Sequence, residues 1–391
     1  MYKIQTLNKV ASIGLRLFPK DTYEVGSDLE CPDAILVRSA SMLDIAIPDS
    51  VKAVARAGAG VNNIPVDKCS GRGIVVFNTP GANANGVKEL VLAGLLLSSR
   101  RIVPGLDWAR GLIGRGADVP NLIEKGKGDF VGPEIKGKRL GVVGLGAIGV
   151  MVANDAAALG MQVTGYDPFI SVEAAWGLSR NVRRARSLDG LLAESDYVTL
   201  HVPLSDKTKG MINRDRFAIM KKGTRLLNFA RGGLVNNDDL RMALSEGTVS
   251  VYVTDFPDEQ LLKLENAICV PHLGASTPEA EDNCAVAAVN QLRDFLEHGN
   301  IKNSVNFPDC ELDILGPTKR IVVANRNIPN MVGQITTILA AKGINIADMI
   351  NRGKGDYAYN IIDVDGEVCP DVLEQLHSID GVVMVRHLNG A

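Results

Sequence analysis

Cysteine is scarce, and none of the six (Cys31, Cys69, Cys269, Cys284, Cys310, Cys369) stands in a Cys-x-x-Cys pair. That spacing excludes a zinc ribbon and a disulfide framework and fits a reducing compartment. No run of 18 apolar residues is present, so no segment reads as a membrane span. Met1-Tyr-Lys-Ile opens into mixed sequence without an apolar leader, and the expectation is a cytoplasmic protein. An excess of charge of one sign is also missing: 42 Lys+Arg against 45 Asp+Glu leave a net charge of −3, which argues against a dedicated nucleic-acid binder. The one basic run, Arg180-Asn-Val-Arg-Arg-Ala-Arg186, reads as a solvated face. Low-complexity tracts and internal repeats are absent. With 391 residues, 46% hydrophobic and 22% charged, the chain has room for two or three globular domains, each with a core.

The segment Arg139-Leu-Gly-Val-Val-Gly-Leu-Gly-Ala-Ile-Gly149 reads as a buried strand entering Gly144-x-Gly146-x-x-Gly149 and then a helix. A second strand, Met161–Tyr166, ends at Asp167, 18 residues past Gly149. That order of parts builds a dinucleotide site. Gly144 serves the tight turn, Gly146 the approach of backbone to pyrophosphate, and Gly149 the close packing of helix on strand. Ala147 and Ile148 open the helix, whose free N–H groups and partial positive charge suit phosphate. Asp167 suits both ribose hydroxyls and repels a 2′-phosphate, which selects NAD over NADP.

Residues 1 to about 90 alternate short strands (34–37, 51–56, 73–77) with polar turns, an α/β pattern. Residues 88–97 predict a buried helix. Further strands at 197–202, 224–229 and 267–270 each end in a polar or Gly/Pro-rich loop, and in a doubly wound sheet such loops gather at the carboxyl edge. Residues 279–298 predict a long helix capped by Gly299, followed by a linker through Gly316-Pro317. The pattern then restarts: strand from Arg320, helix from Asn330 to Gly343, strand from Tyr357, helix at 372–376, strand from Val382. This predicts a βαββαβ unit of about 72 residues, separate from the rest.

Three loops carry candidate chemistry: Asn228–Val235, Asp255–Glu259 and Pro271–Thr277. Oxidising an alcohol needs a base for the hydroxyl proton while hydride leaves carbon, and His272, directly after a strand, suits that work. A carboxylate such as Glu259 would orient the ring and favour its protonated form. Arg231 can clamp a carboxylate bidentately and polarise a carbonyl. Each residue alone has an ordinary structural reading; the three together on successive loops point to catalysis.

In these motifs the chain resembles the NAD-dependent D-isomer-specific 2-hydroxyacid dehydrogenases. The matching segments are the glycine fingerprint with Asp167, His201-Val-Pro-Leu-Ser-Asp-Lys-Thr, Asn228-Phe-Ala-Arg-Gly-Gly, Phe-Pro-Asp-Glu259 and Pro271-His-Leu-Gly-Ala-Ser. The resemblance implies a fold of two doubly wound Rossmann-like domains, a split substrate domain (1–95 and 280–312) and an NAD domain (96–279). To these it adds a C-terminal ACT-like regulatory unit (319–391). That unit points to the branch that oxidises 3-phospho-D-glycerate to 3-phosphohydroxypyruvate at the start of L-serine synthesis. The resemblance implies Arg231, Glu259 and His272 as the catalytic set. It adds His201, Pro203, Phe229, Ala230, Gly274 and Ala275 to the NAD contacts.

Many relatives carry an aspartate five residues before the glutamate, against the nicotinamide carboxamide. Here Thr254 stands at that place and Asp255 follows, so both are candidates. For the substrate, the resemblance implies Arg38, Ser39, Gly60, Val61, Asn62 and Asn83. Arg56 and Lys88 read as structural. Asn330 and Asn345 match effector positions that hold serine, though Asn330 reads somewhat better as a helix N-cap. A homo-oligomer, dimer or tetramer, is implied, with no metal, membrane or nucleic-acid partner. The alternatives are a glyoxylate, hydroxypyruvate or 2-oxoglutarate reductase of the same family, or a non-catalytic protein that senses NAD or serine.

Overall fold

The computed structural model describes residues 1–390. Among them the chain divides into two compact units, 1–83 with 278–390, and 84–277. The boundaries expected from sequence were 95/96 and 279/280. The first differs because the helix Ala84–Ser99 packs on the helix Ala147–Ala158 and on strands of the second unit.

The first unit opens with β1 (Tyr2–Thr6), β2 (Tyr23–Gly26), β3 (Ala34–Val37), β4 (Ala53–Arg56) and β5 (Val75–Phe77). They form a parallel sheet in the order β2-β1-β3-β4-β5. β3 is buried at every position, as a strand covered on both faces must be.

The second unit holds β6 (Arg139–Val143), β7 (Gln162–Tyr166), β8 (Arg183–Arg184), β9 (Tyr197–Leu200), β10 (Thr224–Asn228), β11 (Val249–Thr254) and β12 (Ala267–Cys269). All seven run parallel, in the order β12-β11-β10-β9-β6-β7-β8. The order reverses between β6 and β9, which opens a crevice at their carboxyl ends. The basic run expected on a solvated face supplies β8, a two-residue exposed edge strand.

The first unit is completed by β13 (Lys319–Arg326), β14 (Asn345–Lys354), β15 (Tyr357–Asp365) and β16 (Val382–Asn389), antiparallel in the order β14-β15-β13-β16. With the helices Met331–Ala341 and Pro370–His377 this is the expected βαββαβ unit. Its strands alternate between two cores, as a period of two requires. Ile321, Val323, Ile362 and Val364 face the unit's own helices. Val322, Ala324, Tyr359 and Ile361 join a core with Phe77, Phe295 and Phe307. The unit is thus a sheet of its own whose second face is built into the first sheet's core.

The long helix Pro278–His298 belongs to that shared core. Its last carbonyls lack partners within the helix. Arg386 donates to Phe295 O at 3.0 Å and Leu296 O at 2.9 Å, Arg320 to His298 O at 2.7 Å, and the Tyr359 hydroxyl to Gly299 O at 2.7 Å. Tyr2 donates to Leu296 O at 2.8 Å. Two cations at a helix C-terminus also complement its dipole. Arg320, 1% exposed, grips Asp363 through two further bonds of 2.6 and 2.9 Å.

Asn330 corrects one expectation. It sits at the N-cap of its helix in the left-handed region (φ 68°), yet its side chain makes no capping hydrogen bond. Its Oδ1 lies over Gly333, where a Cβ would come within 2.4 Å. Asn345 donates to Asp365 Oδ2 across the edge strands at 2.8 Å.

Candidate active site

The glycine turn follows β6. Gly144 has φ +91°, and a Cβ on it would come within 2.5 Å of His201 O. Gly149 packs so closely that a Cβ would fall 2.0 Å from Gly144 O. At Gly146, by contrast, a Cβ would meet nothing within 4 Å, so the backbone there faces open space. The helix Ala147–Ala158 begins at that point, with Ala147 and Ile148 in its first turn. Asp167 closes the turn from β7: Oδ2 accepts from Leu145 N and Oδ1 from Phe169 N, both at 2.8 Å. Each oxygen keeps a lone pair for a ribose hydroxyl. An exposed amide edge, room beside Gly146 and an acceptor at Asp167 are the groups a dinucleotide needs, so the residues present fit NAD.

His201 follows β9. Its Nε2 bonds Thr199 Oγ1 at 3.0 Å, and burial pushes its pKa down to about 3. Exposed turn residues beginning at Pro203 and Leu204 follow it.

The chemistry-bearing loops leave β10, β11 and β12. Asn228, fully buried, ends β10; its Nδ2 donates to Arg231 O at 2.9 Å and its Oδ1 accepts from Ala230 N at 3.2 Å. This folds the Phe229–Arg231 segment back and leaves the Arg231 side chain exposed. Thr254 ends β11, also fully buried. Its hydroxyl donates to Asn228 O at 2.9 Å and accepts from Phe256 N at 3.1 Å, which ties two loops together.

Of the two cofactor candidates at this point, Thr254 is therefore spent on the scaffold. Asp255 is 2% exposed, and its Oδ1 has no hydrogen-bond partner. Burial pushes its pKa up, while the charges of His272 and Arg231 oppose the rise. The Phe256 ring lies 4.6 Å from the exposed His272 ring, centroid to centroid. Tyr252, buried beneath and bonded to Asn228 Nδ2 at 3.3 Å, has its hydroxyl pushed up to about 12 by burial.

Burial thus falls on Asp255, while Arg231 and His272 are exposed on the neighbouring loops. Glu259, expected beside His272, points elsewhere: its side chain is 81% exposed and pairs with Lys263 at 2.8 Å, one helical turn on. The reason is local, since Glu259 and Lys263 are spaced i,i+4 across the turn Leu261–Lys263. Gly274 lies against Val87 and Gly86 of the helix Ala84–Ser99, with Ala275 next to it. The composition of the Asp255–Glu259 loop carried a signal for Asp255, an acid directly after a buried strand. Nothing in the sequence marked Thr254 as the tie between loops.

In the first unit, Arg38 directly follows β3 and pairs with Glu281, while Ser39 Oγ accepts from Asn8 Nδ2 at 3.1 Å. Arg56 donates to Arg38 O at 3.0 Å and also to Gly60 O, so it shapes both loops from below. Val61 packs into the core under the sheet, Asn62 is exposed and Asn83 half-buried. Lys88, in the second unit, pairs with Asp155 at 2.8 Å and joins two helices.

The fold and site define a class, and comparison with known proteins agrees. The profile of the D-isomer specific 2-hydroxyacid dehydrogenase NAD binding domain matches residues 96–274. The D-3-phosphoglycerate dehydrogenase of Haemophilus influenzae is 33% identical over 84% of this chain and 79% of its own. That of Methanocaldococcus jannaschii is 35% identical over 82% of this chain and 60% of its own. The crystal structure of an NAD+-bound 3-phosphoglycerate dehydrogenase from Entamoeba histolytica superposes with a TM-score of 0.58 at 27% identity, covering 78% of this chain and 98% of that one. The chain belongs to the D-isomer-specific 2-hydroxyacid dehydrogenase family. It spans 60% and 52% of the length of two of the relatives it matches. Among the described residues no helix is long and apolar enough to cross a membrane.

Proposed function

We propose that this chain oxidises 3-phospho-D-glycerate to 3-phosphohydroxypyruvate with NAD, the reaction that opens L-serine synthesis. The observation that carries this reading is that the loops after β10 and β12 present Arg231 and His272 at the carboxyl end of the sheet that also bears the glycine turn. The names of the Haemophilus and Methanocaldococcus relatives support the substrate.

Bound NAD supplies the hydride acceptor. Gly146, the amides of Ala147 and Ile148, and Asp167 hold its pyrophosphate and ribose. His272 takes the C2 hydroxyl proton on a ring nitrogen as C2 is oxidised. Arg231 grips the substrate carboxylate and steadies the forming carbonyl oxygen. Glu259 joins the imidazolium by exchanging Lys263 for His272, and an exposed pair of that kind is weakly held. The loops with Arg38, Ser39, Gly60, Val61, Asn62 and Asn83 supply polar groups for the rest of the substrate.

The βαββαβ unit serves as an ACT-type module for an effector such as serine, with Asn330 and Asn345 as candidate contacts. A homo-oligomer fits the segment from Ile102 to Val131, whose two α-helices bury no residue and which exposes Leu106, Ile113 and Val131. Six free thiols suit a cytoplasmic setting.

One observation favours the reductase reading: Arg38, the basic candidate for a phosphate, is already neutralised by Glu281. Steady-state turnover with NAD separates the two, comparing 3-phosphoglycerate with D-glycerate and D-lactate, with and without serine. The expected result is a kcat/KM at least about a hundredfold higher for the phosphorylated acid. Equal rates would hand the substrate to the reductase reading, and firm NAD binding without turnover on any 2-hydroxyacid would leave a sensor.

A further inference from the structure

The basic run Arg180-Asn-Val-Arg-Arg-Ala-Arg186 takes no part in the site described above. It supplies the edge strand β8, and one cationic side chain would be enough to blunt an edge of two residues. Three of its arginines, Arg183, Arg184 and Arg186, instead line a cavity of about 510 Å³, and Arg139, the first residue of β6, lines it from the other side. That volume is of the size that holds a small organic molecule. Met161, Val163 and Leu191, all buried, give the cavity an apolar floor.

Other cations near the helix Leu188–Glu194 are paired: Arg216 with Asp189 at 3.2 Å and Lys221 with Asp196 at 2.9 Å. Among the described residues, the side chains of Arg183, Arg184 and Arg186 make no ion pair and no hydrogen bond. The one acid in the lining, Glu194, stands 3.6 Å from Arg139. Four guanidinium groups against one carboxylate leave the cavity positive, and like charges gathered in a concave wall repel one another until an anion enters. Strand register sets their spacing. Arg139 lies opposite Gln162, and Thr164 opposite Arg183, so these four share one face of the sheet. The helix Leu188–Glu194 covers that face at Gly141, where a Cβ would fall 2.3 Å from Leu191. Arg139 and Arg183 are two strands and two residues apart, which separates their Cα atoms by about 12 Å. Between them lie Gln162 and Thr164, whose side chains also make no hydrogen bond.

We propose that this cavity binds a small phosphorylated polyol with an anionic group at each end, a sugar bisphosphate in chemical class. Arg183 and Arg186 hold one phosphate through charge-assisted bonds and Arg139 holds the other. Gln162 and Thr164 receive the hydroxyl groups between, and the apolar floor takes the carbon skeleton. The site is separate from the dinucleotide turn, because neither Gly144–Gly149 nor Asp167 lines it.

The test is calorimetric titration of the full chain with fructose 1,6-bisphosphate at low ionic strength and saturating NAD. One site per chain is expected, weakened by added salt. Fructose 6-phosphate, with one charged end, binds about tenfold more weakly or worse. The double variant Arg183→Gln/Arg186→Gln loses about tenfold or more in affinity for the bisphosphate. Arg180→Gln, in the same run but outside the cavity, stays within about twofold. NAD affinity is unchanged in every variant. No binding at millimolar bisphosphate overturns the proposal. So does binding that survives the double substitution, that NAD abolishes, or that Arg180→Gln weakens equally, since each places the anion elsewhere or on diffuse charge. A single-stranded oligonucleotide that binds more tightly through the same arginines would make the run a nucleic-acid surface and also overturn it.

Discussion

The C-terminal end of the long helix and the loops after β10, β11 and β12 both bury charge, and they treat it in opposite ways. At the helix end, Arg320 and Arg386 sit 1% and 8% exposed, and their donors reach Asp363, Asp313 and the last helical carbonyls. In the loops, Asp255 is 2% exposed with an oxygen unpaired, and His201 keeps an unpaired buried Nδ1. A saturated network resists change and serves the fold. An unsaturated one stores interaction capacity that a ligand or proton can use. The two regions therefore predict different kinds of loss.

The sharpest way to break that contrast is to remove the exposed histidine those loops present. His272→Ala should lower turnover by roughly 10²–10⁴-fold, with the thermal midpoint unchanged. Loss of stability together with activity would show the loop to be structural after all. The converse substitution is Arg320→Ala. Removing one partner of a buried, hydrogen-bonded pair costs about 3–5 kcal/mol, and here it also strips the helix end of donors. Urea unfolding should record that loss, while the folded fraction keeps its kcat; a small shift in midpoint would mean water replaces the guanidinium.

The third effect concerns His201 and shows only as pH is lowered. Its folded pKa lies near 3, below the unfolded value, so between those limits the unfolded chain binds more protons. Stability should then fall as pH is lowered from about 6.5 towards 3. Urea midpoints measured across that range should be flatter for His201→Asn than for wild type. Parallel curves would place the acid sensitivity elsewhere.

Much of this was legible in residue order. The fingerprint Gly144-x-Gly146-x-x-Gly149 with Asp167 predicted strand, turn, helix and acid, and β6, the helix Ala147–Ala158 and β7 follow it. The α/β class and three of the four strands of the βαββαβ unit followed from apolar periodicity, whereas the ten-residue edge strand β14 went unread. Short edge strands such as β2 and β8 carry too few residues for periodicity to register, and they went unread. The pairing of carboxylates with His272 was also beyond sequence. Glu259 is nearer to it in the chain than Asp255, and only backbone direction after β11 decides which one turns inward.

Residue order alone therefore determined the dinucleotide turn, the acid that closes it after β7, the α/β class and the choice of Arg231 and His272 as candidates, because each depends on local spacing or periodicity. Three-dimensional packing decided the rest. It buried Asp255 and left Glu259 exposed on Lys263, spent Thr254 on tying loops, paired Arg38 with Glu281, and merged the antiparallel sheet's second face into the first sheet's core. Those outcomes depend on which side chains exclude water together, and residues far apart in the chain settle that only once the sheets are formed.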